Sequence, residues 1–316
     1  MHASSIVRLR SHRALLSLLF ALGFAPACAH EESPLASTAV DPNAPDEHLF
    51  QQALALFQAS DYAGARAKFE QLLTAYPSSP RHDNAGYLAG RCAYELADYQ
   101  GATATLLSMR MLHPTSPYAG SAAYFTGRSR FQLGDYATSI ADFKTAVSAD
   151  PVGTFADNAA YYVGRAEYEA ANLPAAIVDL RSFETAYPAS SYLDNARYYL
   201  GRAHFDQNDF TNAIEPFQRV LSLAGSSYED DARYYTGRSH YALGQLDTAK
   251  SDFAALVSAF PSSQYIDNSL YYEARIEADR GNCAAARTLL TTLTSQFPQS
   301  TNLSPANSYL SAHGCG

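Results

Sequence analysis

Apolar positions in this chain recur at three- and four-residue steps over short stretches that are interrupted at regular intervals. Between Asp157 and Pro188 the line reads DNAAYYVGRAEYEAANLPAAIVDLRSFETAYP. Ala176, Ile177, Leu180 and Phe183 make one apolar stripe at helical spacing, and Pro188 forbids its continuation. Upstream, nothing from Asp157 to Ala170 breaks a helix, and Asp157 is expected to cap it by accepting free backbone N–H groups. A break at Ala171-Asn172-Leu173 separates the two segments, so the stretch predicts a helix pair, A then B. Within helix A, the small residues Ala160, Gly164 and Ala166 leave room for a close neighbour. That accounts for a mid-helix glycine, which otherwise costs about 1 kcal/mol against alanine.

The same pattern is written on both sides of this stretch. A Gly-Arg pair recurs at Gly90-Arg91, Gly127-Arg128, Gly164-Arg165, Gly201-Arg202 and Gly237-Arg238, with a sixth copy as Ala274-Arg275, at steps of 37, 37, 37, 36 and 37. Pro77, Pro114, Pro151, Pro188, Pro261 and Pro298 keep the same register, and Gly225 stands where one proline is missing. Two markers on one period identify a repeat array, which overrules the two domains that length alone would imply. Phe50, Leu54 and Phe57 mark an atypical first unit, as terminal repeats often are.

Small residue, Gly, aromatic, turn, Tyr or Phe, Ala-Ile, Phe, Pro resembles the tetratricopeptide repeat (TPR), with the extra residues after the proline, as in Ala189-Ser190-Ser191-Tyr192-Leu193. The variant with DNAxYYxG opening helix A is similar to the repeats of two bacterial envelope proteins: the TPR lipoprotein of the outer-membrane barrel assembly machine and the periplasmic TPR protein of the Tol-Pal system. The resemblance covers about Glu47 to Pro298. It implies an all-α fold, a right-handed α-solenoid of about seven helix pairs with a C-terminal capping helix. The expected division is an export signal over 1–27, a disordered tether over 28–46, the solenoid over 47–298 and a cap over 299–316.

Residues Met1 to Ala27 have the parts of an export signal: Arg8, Arg10 and Arg13, an apolar run from Ala14 to Phe24, then Ala25-Pro26-Ala27. The run is too short for a permanent membrane span. Two readings are open at Cys28. It follows small residues like the lipid-modified cysteine of a bacterial lipoprotein, which the family resemblance favours, while Ala25-Pro26-Ala27 is also an ordinary cleavage site. Residues 29 to 46 hold three prolines and almost no large apolar side chain, so they read as a tether. Ser304 to His313 reads as a closing helix that covers the face left open by the seventh pair.

The formal charge is −9, and the loss of the three signal arginines, with no acids beside them, makes it −12. That argues against nucleic acid or an anionic lipid surface as the main partner. The chain has 23 tyrosines and no tryptophan, and the tyrosines are not scattered.

Asn158, Tyr161, Arg165 and Tyr168 lie at i, i+3, i+7 and i+10, one stripe of a helix. The stripe repeats as Asn84, Tyr87, Arg91, Tyr94; Ser121, Tyr124, Arg128, Phe131; Asn195, Tyr198, Arg202, Phe205; Asp231, Tyr234, Arg238, Tyr241; and Asn268, Tyr271, Arg275. In TPR proteins this stripe faces the concave groove, so the resemblance implies a partner-binding surface of Asn, Tyr, Arg and aromatic rows. Guanidinium groups between rings can hold carboxylates and stack. A framework role stays open beside that one: Glu95, Glu169 and Asp206 sit four residues after Arg91, Arg165 and Arg202, and the tyrosines can stack between repeats.

Cys283 and Cys315 are disulfide candidates at the end of the array, and Cys92 reads as a buried small residue. The nine histidines show no metal-ligand spacing, and no nucleophile elbow, phosphate loop or zinc motif is present. No cofactor, metal or catalytic residue is expected. The expected function is a non-catalytic protein–protein interaction scaffold, exported to the periplasm and, on the lipoprotein reading of Cys28, attached to the outer membrane, with envelope proteins or peptide segments as partners. Its setting would be outer-membrane protein assembly or Tol-Pal and division coordination. The alternatives are a cell-wall glycan-binding module and a structural spacer.

Overall fold

The computed structural model describes residues 41–223 and 225–316. The export signal, Cys28 and most of the tether expected from the sequence lie outside the described residues. Seven helix pairs follow one another: α1 (Pro45–Gln58) with α2 (Tyr62–Ala75), α3 (His82–Glu95) with α4 (Tyr99–Leu112), α5 (Ala119–Gln132) with α6 (Tyr136–Ala149), α7 (Ala156–Glu169) with α8 (Leu173–Ala186), α9 (Leu193–Asp206) with α10 (Phe210–Leu221), α11 (Glu229–Ala242) with α12 (Leu246–Ala259), and α13 (Ile266–Asp279) with α14 (Cys283–Gln296). A last helix, α15 (Leu303–Ala312), packs on α13 and α14. Among the described residues there is no strand, and no helix is long and apolar enough to cross a membrane. The first helix begins at Pro45, two residues before the expected start, because proline suits the first turn and Asp46 and Glu47 follow in it.

Each turn from helix A to helix B is made in three residues by one mechanism. The second residue after the A helix adopts the left-handed conformation: Gly134, Gly244 and Gly281 do so, and so do Ser60, Ala97, Ala171 and Asn208, with φ near 60°. The next residue closes helix A and opens helix B at once. Asp98 donates its N–H to the Ala93 carbonyl at 2.9 Å while its carboxylate accepts from the Gly101 N–H at 2.9 Å.

Helix B presses its large apolar residue onto the glycine of helix A. A Cβ on Gly164 would stand 2.6 Å from the Leu180 side chain, and one on Gly201 would stand 2.6 Å from the Phe217 ring. The mid-helix glycine is therefore a packing requirement.

The expectation that Asp157 caps helix A holds for its hydrogen bond and is corrected for its place: Asp157 lies inside the first turn and accepts the Asn158 N–H at 2.8 Å. Phe155 is the N-cap, and its own side chain makes no capping hydrogen bond. The other oxygen of the Asp157 carboxylate accepts the hydroxyl of Ser190, 33 residues on, at 2.6 Å. The same link joins Asp46 to Ser79, Asp83 to Ser116, Asp194 to Ser226, Asp230 to Ser263 and Asp267 to Ser300, at 2.6 to 2.9 Å. Each Ser also accepts the backbone N–H two residues ahead, as Ser190 does from Tyr192 at 3.1 Å. The carboxylate at the head of one helix A thus fixes the loop that launches the next. The junction between α5 and α7 has glycine in both places, Gly120 and Gly153.

Candidate functional site

Helices A of successive pairs approach one another, and each helix B packs between two helices A. The A layer is therefore the crowded, inner side of the stack, where a solenoid forms its groove. Along this layer the predicted rows separate into different environments.

The first tyrosine of each row is interior. Tyr87, Tyr124, Tyr161, Tyr198 and Tyr234 are buried, Tyr161 completely. Each stacks beneath the aromatic residue that begins the next helix A: Tyr87 on Tyr118 at 5.4 Å between centroids, Tyr124 on Phe155 at 4.7 Å, Tyr161 on Tyr192 at 4.8 Å, Tyr198 on Tyr228 at 4.4 Å and Tyr234 on Tyr265 at 4.3 Å. Burial pushes the Tyr161 hydroxyl well above its usual range. The rings of these five are taken up by the stacking between repeats, and Tyr271, where the stack ends, is half-buried.

The Asn row serves those hydroxyls. Asn158 Nδ2 lies 3.4 Å from the Tyr124 hydroxyl, Asn195 Nδ2 donates to Tyr228 at 2.9 Å, and Tyr234 donates to Asn268 at 3.4 Å. Asp231, in the same register, accepts from Tyr265 at 2.5 Å and Tyr198 at 3.3 Å, although burial still holds its carboxyl above the usual range. Asn84 is half-buried in this row.

The arginines are half-exposed, and rings cover their flat faces. Each guanidinium sits between the last aromatic of the preceding helix A and an aromatic of the following one. Arg91 lies between Phe57 and Phe125 (5.1 and 5.2 Å), Arg128 between Tyr94 and Tyr162 (5.5 and 4.4 Å), and Arg165 between Phe131 and Tyr199 (5.4 and 4.6 Å). Arg202 lies between Tyr168 and Tyr235 (5.8 and 4.3 Å), Arg238 between Phe205 and Tyr272 (4.8 and 5.5 Å), and Arg275 between Tyr241 and Tyr309 of α15 (5.0 and 4.1 Å). The guanidinium edge reaches back to its own helix, as from Arg128 to the Tyr124 hydroxyl at 2.7 Å and from Arg202 to Tyr198 at 3.0 Å. Glu169 and Asp206 pair with Arg165 and Arg202 at 3.6 and 3.4 Å, and Glu95 approaches Arg91 at 4.0 Å.

Sequence reasoning passed over the ring partners in this ladder. Phe125, Tyr162, Tyr199, Tyr235 and Tyr272 recur in register directly after the row tyrosine, and Tyr118, Phe155, Tyr192 and Tyr265 recur four residues after the proline. That spacing was the available signal. At the far end Cys283 and Cys315 form a disulfide, which ties the head of α14 to the chain after α15. Cys92 is buried, and burial pushes its thiol up to about 12. His204 and His240 pair with Asp209 and Asp252, at 2.9 and 2.5 Å, rather than with each other. Among the described residues no group of three His, Cys, Asp or Glu is placed to hold a metal ion.

Antiparallel helix pairs in a 37-residue register, stacked through glycine seats and aromatic ladders, define a TPR α-solenoid. The chain belongs to the outer membrane lipoprotein family YfiO, which matches residues 42–151 and, overlapping them, 119–269. Its fold is similar to that of the C-terminal part of a TPR repeat-containing protein from Cytophaga hutchinsonii, at 20% identity over 81% of this chain and 98% of that one, with a TM-score of 0.64. It is also similar to PilW, described as a widely conserved type IV pilus biogenesis factor, at 21% identity over 71% of this chain and 98% of that one, with a TM-score of 0.53. A third solved structure is YrrB, described as a TPR protein with an unusual peptide-binding site, at 17% identity over 64% of this chain and 97% of that one, with a TM-score of 0.52. At these identities the likeness concerns the fold. No curated protein matches the chain.

Proposed function

We propose that this chain is a non-catalytic scaffold of the bacterial cell envelope, held at the periplasmic face of the outer membrane through a lipid on Cys28, whose inner A-layer groove binds segments of partner proteins. Outer-membrane protein assembly, or coordination with the Tol-Pal and division machinery, is the setting that the family's description favours. One observation carries the groove reading. The A layer presents a continuous strip of half-exposed guanidinium edges, Asn amides and carboxylates, and its ring ladder holds that strip in place. Such edges suit the carboxylates and backbone of an extended or helical segment. Glycan recognition fits less well, because the row tyrosines are stacked on neighbouring repeats and have no free face for a sugar ring.

The test places a photoreactive residue at Glu169 or Asp206, at the edge of the strip, in the full chain in its native envelope. Adducts with envelope proteins are expected from both positions and not from Lys68 on helix B. Equal yields from all three positions sink the groove assignment. Metabolic labelling with a fatty-acid analogue, lost in Cys28→Ser, checks the anchor.

A further inference from the structure

Four residues beyond each row arginine the chain carries, in turn, Glu95, Gln132, Glu169, Asp206, Ala242 and Asp279. Where that residue is Glu169 or Asp206, its carboxylate lies beside the arginine it follows. Asp206 shows the full arrangement: it lies 3.4 Å from Arg202 Nη2 and accepts the Tyr168 hydroxyl at 2.6 Å. In the sixth pair Ala242 replaces the acid, and Arg238 makes no ion pair among the described residues. The next arginine, Arg275, makes none either. Its own Asp279 is turned to Tyr241 and Tyr309, at 3.0 and 2.5 Å, with His313 Nε2 at 3.6 Å. Arg128, followed by Gln132, is a single case; Arg238 and Arg275 are neighbours.

These two guanidiniums line one cavity of about 200 Å³. Phe205, Phe210 and Tyr272 give it an aromatic wall, Ala242 marks the side where an acid stands in other repeats, and Asn208 stands at its rim. Asn208 adopts φ 63° in the turn before α10, and its side-chain amide has no hydrogen-bond partner among the described residues. The cavity therefore offers positive charge, ring faces and an amide, in the same positions where adjacent repeats hold a carboxylate of their own.

We infer that this cavity is an anchor subsite for an acidic side chain of a partner peptide, with the carboxylate seated against Arg238 in the place that Asp206 takes beside Arg202, and with an adjacent apolar side chain on the Phe205–Phe210 wall. The subsite rests on the groove reading above and gives it a partner chemistry: a segment in which Asp or Glu stands next to a large apolar residue. Arg238 spends one interaction on the Tyr234 hydroxyl. A guanidinium has five N–H donors, so a bidentate contact remains open to the ligand.

The probe is a capped hexapeptide, acetyl-Ala-Leu-Glu-Phe-Ala-Ala-amide, titrated into the purified full chain in detergent while the arginine Nε–Hε resonances are followed by NMR. The Gln counterpart of the peptide is expected to bind about tenfold more weakly, as loss of one charge-assisted bidentate contact implies. Ala242→Glu, which restores the residue type of the second and fourth pairs, is expected to weaken the Glu peptide about tenfold, and Ala242→Gln, of the same size but uncharged, by less than about threefold. Unchanged thermal unfolding of both variants shows that the array is intact. Equal binding of the two peptides, or equal effects of the two variants, overturns the subsite. If that happens while Glu169 and Asp206 still crosslink to partners, the groove stands and only this anchor falls. Loss of the crosslinks removes the groove itself.

Discussion

Two residues put this chain's stability where a measurement can reach it. Gly164 is seated under Leu180, so the methyl group of Gly164→Ala must displace that side chain and crowd the helix B backbone, whose nitrogen would lie 3.1 Å away. Overpacking here outweighs the helix propensity that alanine gains, and a net loss of about 2 kcal/mol is expected by urea denaturation. Glu273 is the second. Burial pushes its carboxyl up to about 7; Lys250 on α12 of the preceding pair lowers it and Glu277 one turn on raises it. Because the folded chain holds this proton more tightly than the unfolded chain does, the stabilisation is present below the ordinary carboxyl range and is lost as pH rises through about 7. Wild type should lose on the order of 2 kcal/mol between about pH 5 and pH 8, and Glu273→Gln should flatten that slope. Identical slopes for the two proteins would rule Glu273 out as the source.

At the scale of the element, the sequence spoke clearly about helices and misleadingly about how they are joined. Asp157 is the residue type of an N-cap and accepts the Asn158 N–H with one oxygen, yet the loop that carries Ser190 returns to it from the next repeat, and the other oxygen serves that hydroxyl. Local preference names the residue type, and the long-range partner decides its use. A double-mutant cycle on Asp157→Ala and Ser190→Ala should return a coupling of roughly 1 kcal/mol, the size of one part-buried hydrogen bond. Additive effects would show that the contact stabilises nothing. The row tyrosines follow the same logic. Tyr161 lies on the predicted face, but Tyr192 arrives from 31 residues downstream and covers it.

Over the whole molecule, one junction between successive A helices lacks the carboxylate–hydroxyl link among the described residues. Gly120 and Gly153 remove both members of that link between α5 and α7; these two helices, like α1 and α3, approach each other less closely than α3 and α5 or α7 and α9 do. In an array where each unit is held only by its neighbours, the weakest junction opens first. Backbone amides of residues 153–158 should therefore exchange with solvent faster than their register equivalents at 190–195, by about tenfold if the link contributes about 1.4 kcal/mol to closing the junction. Equal protection at the two junctions would count against the link as a determinant of rigidity.

What the sequence determined by itself was the unit and its period: helix A, a tight turn, helix B, and a glycine where the two must touch. Those features are local, set by propensity, turn chemistry and apolar spacing within one repeat, and repetition made each of them legible several times over. Tertiary structure alone decided what each surface residue does, because the rings that stack on the row tyrosines and flank the row arginines come from other repeats. The stacked tyrosine, the guanidinium between two rings and the carboxylate that holds the next loop all depend on how one hairpin sits against another, and no single unit contains both halves of such a contact.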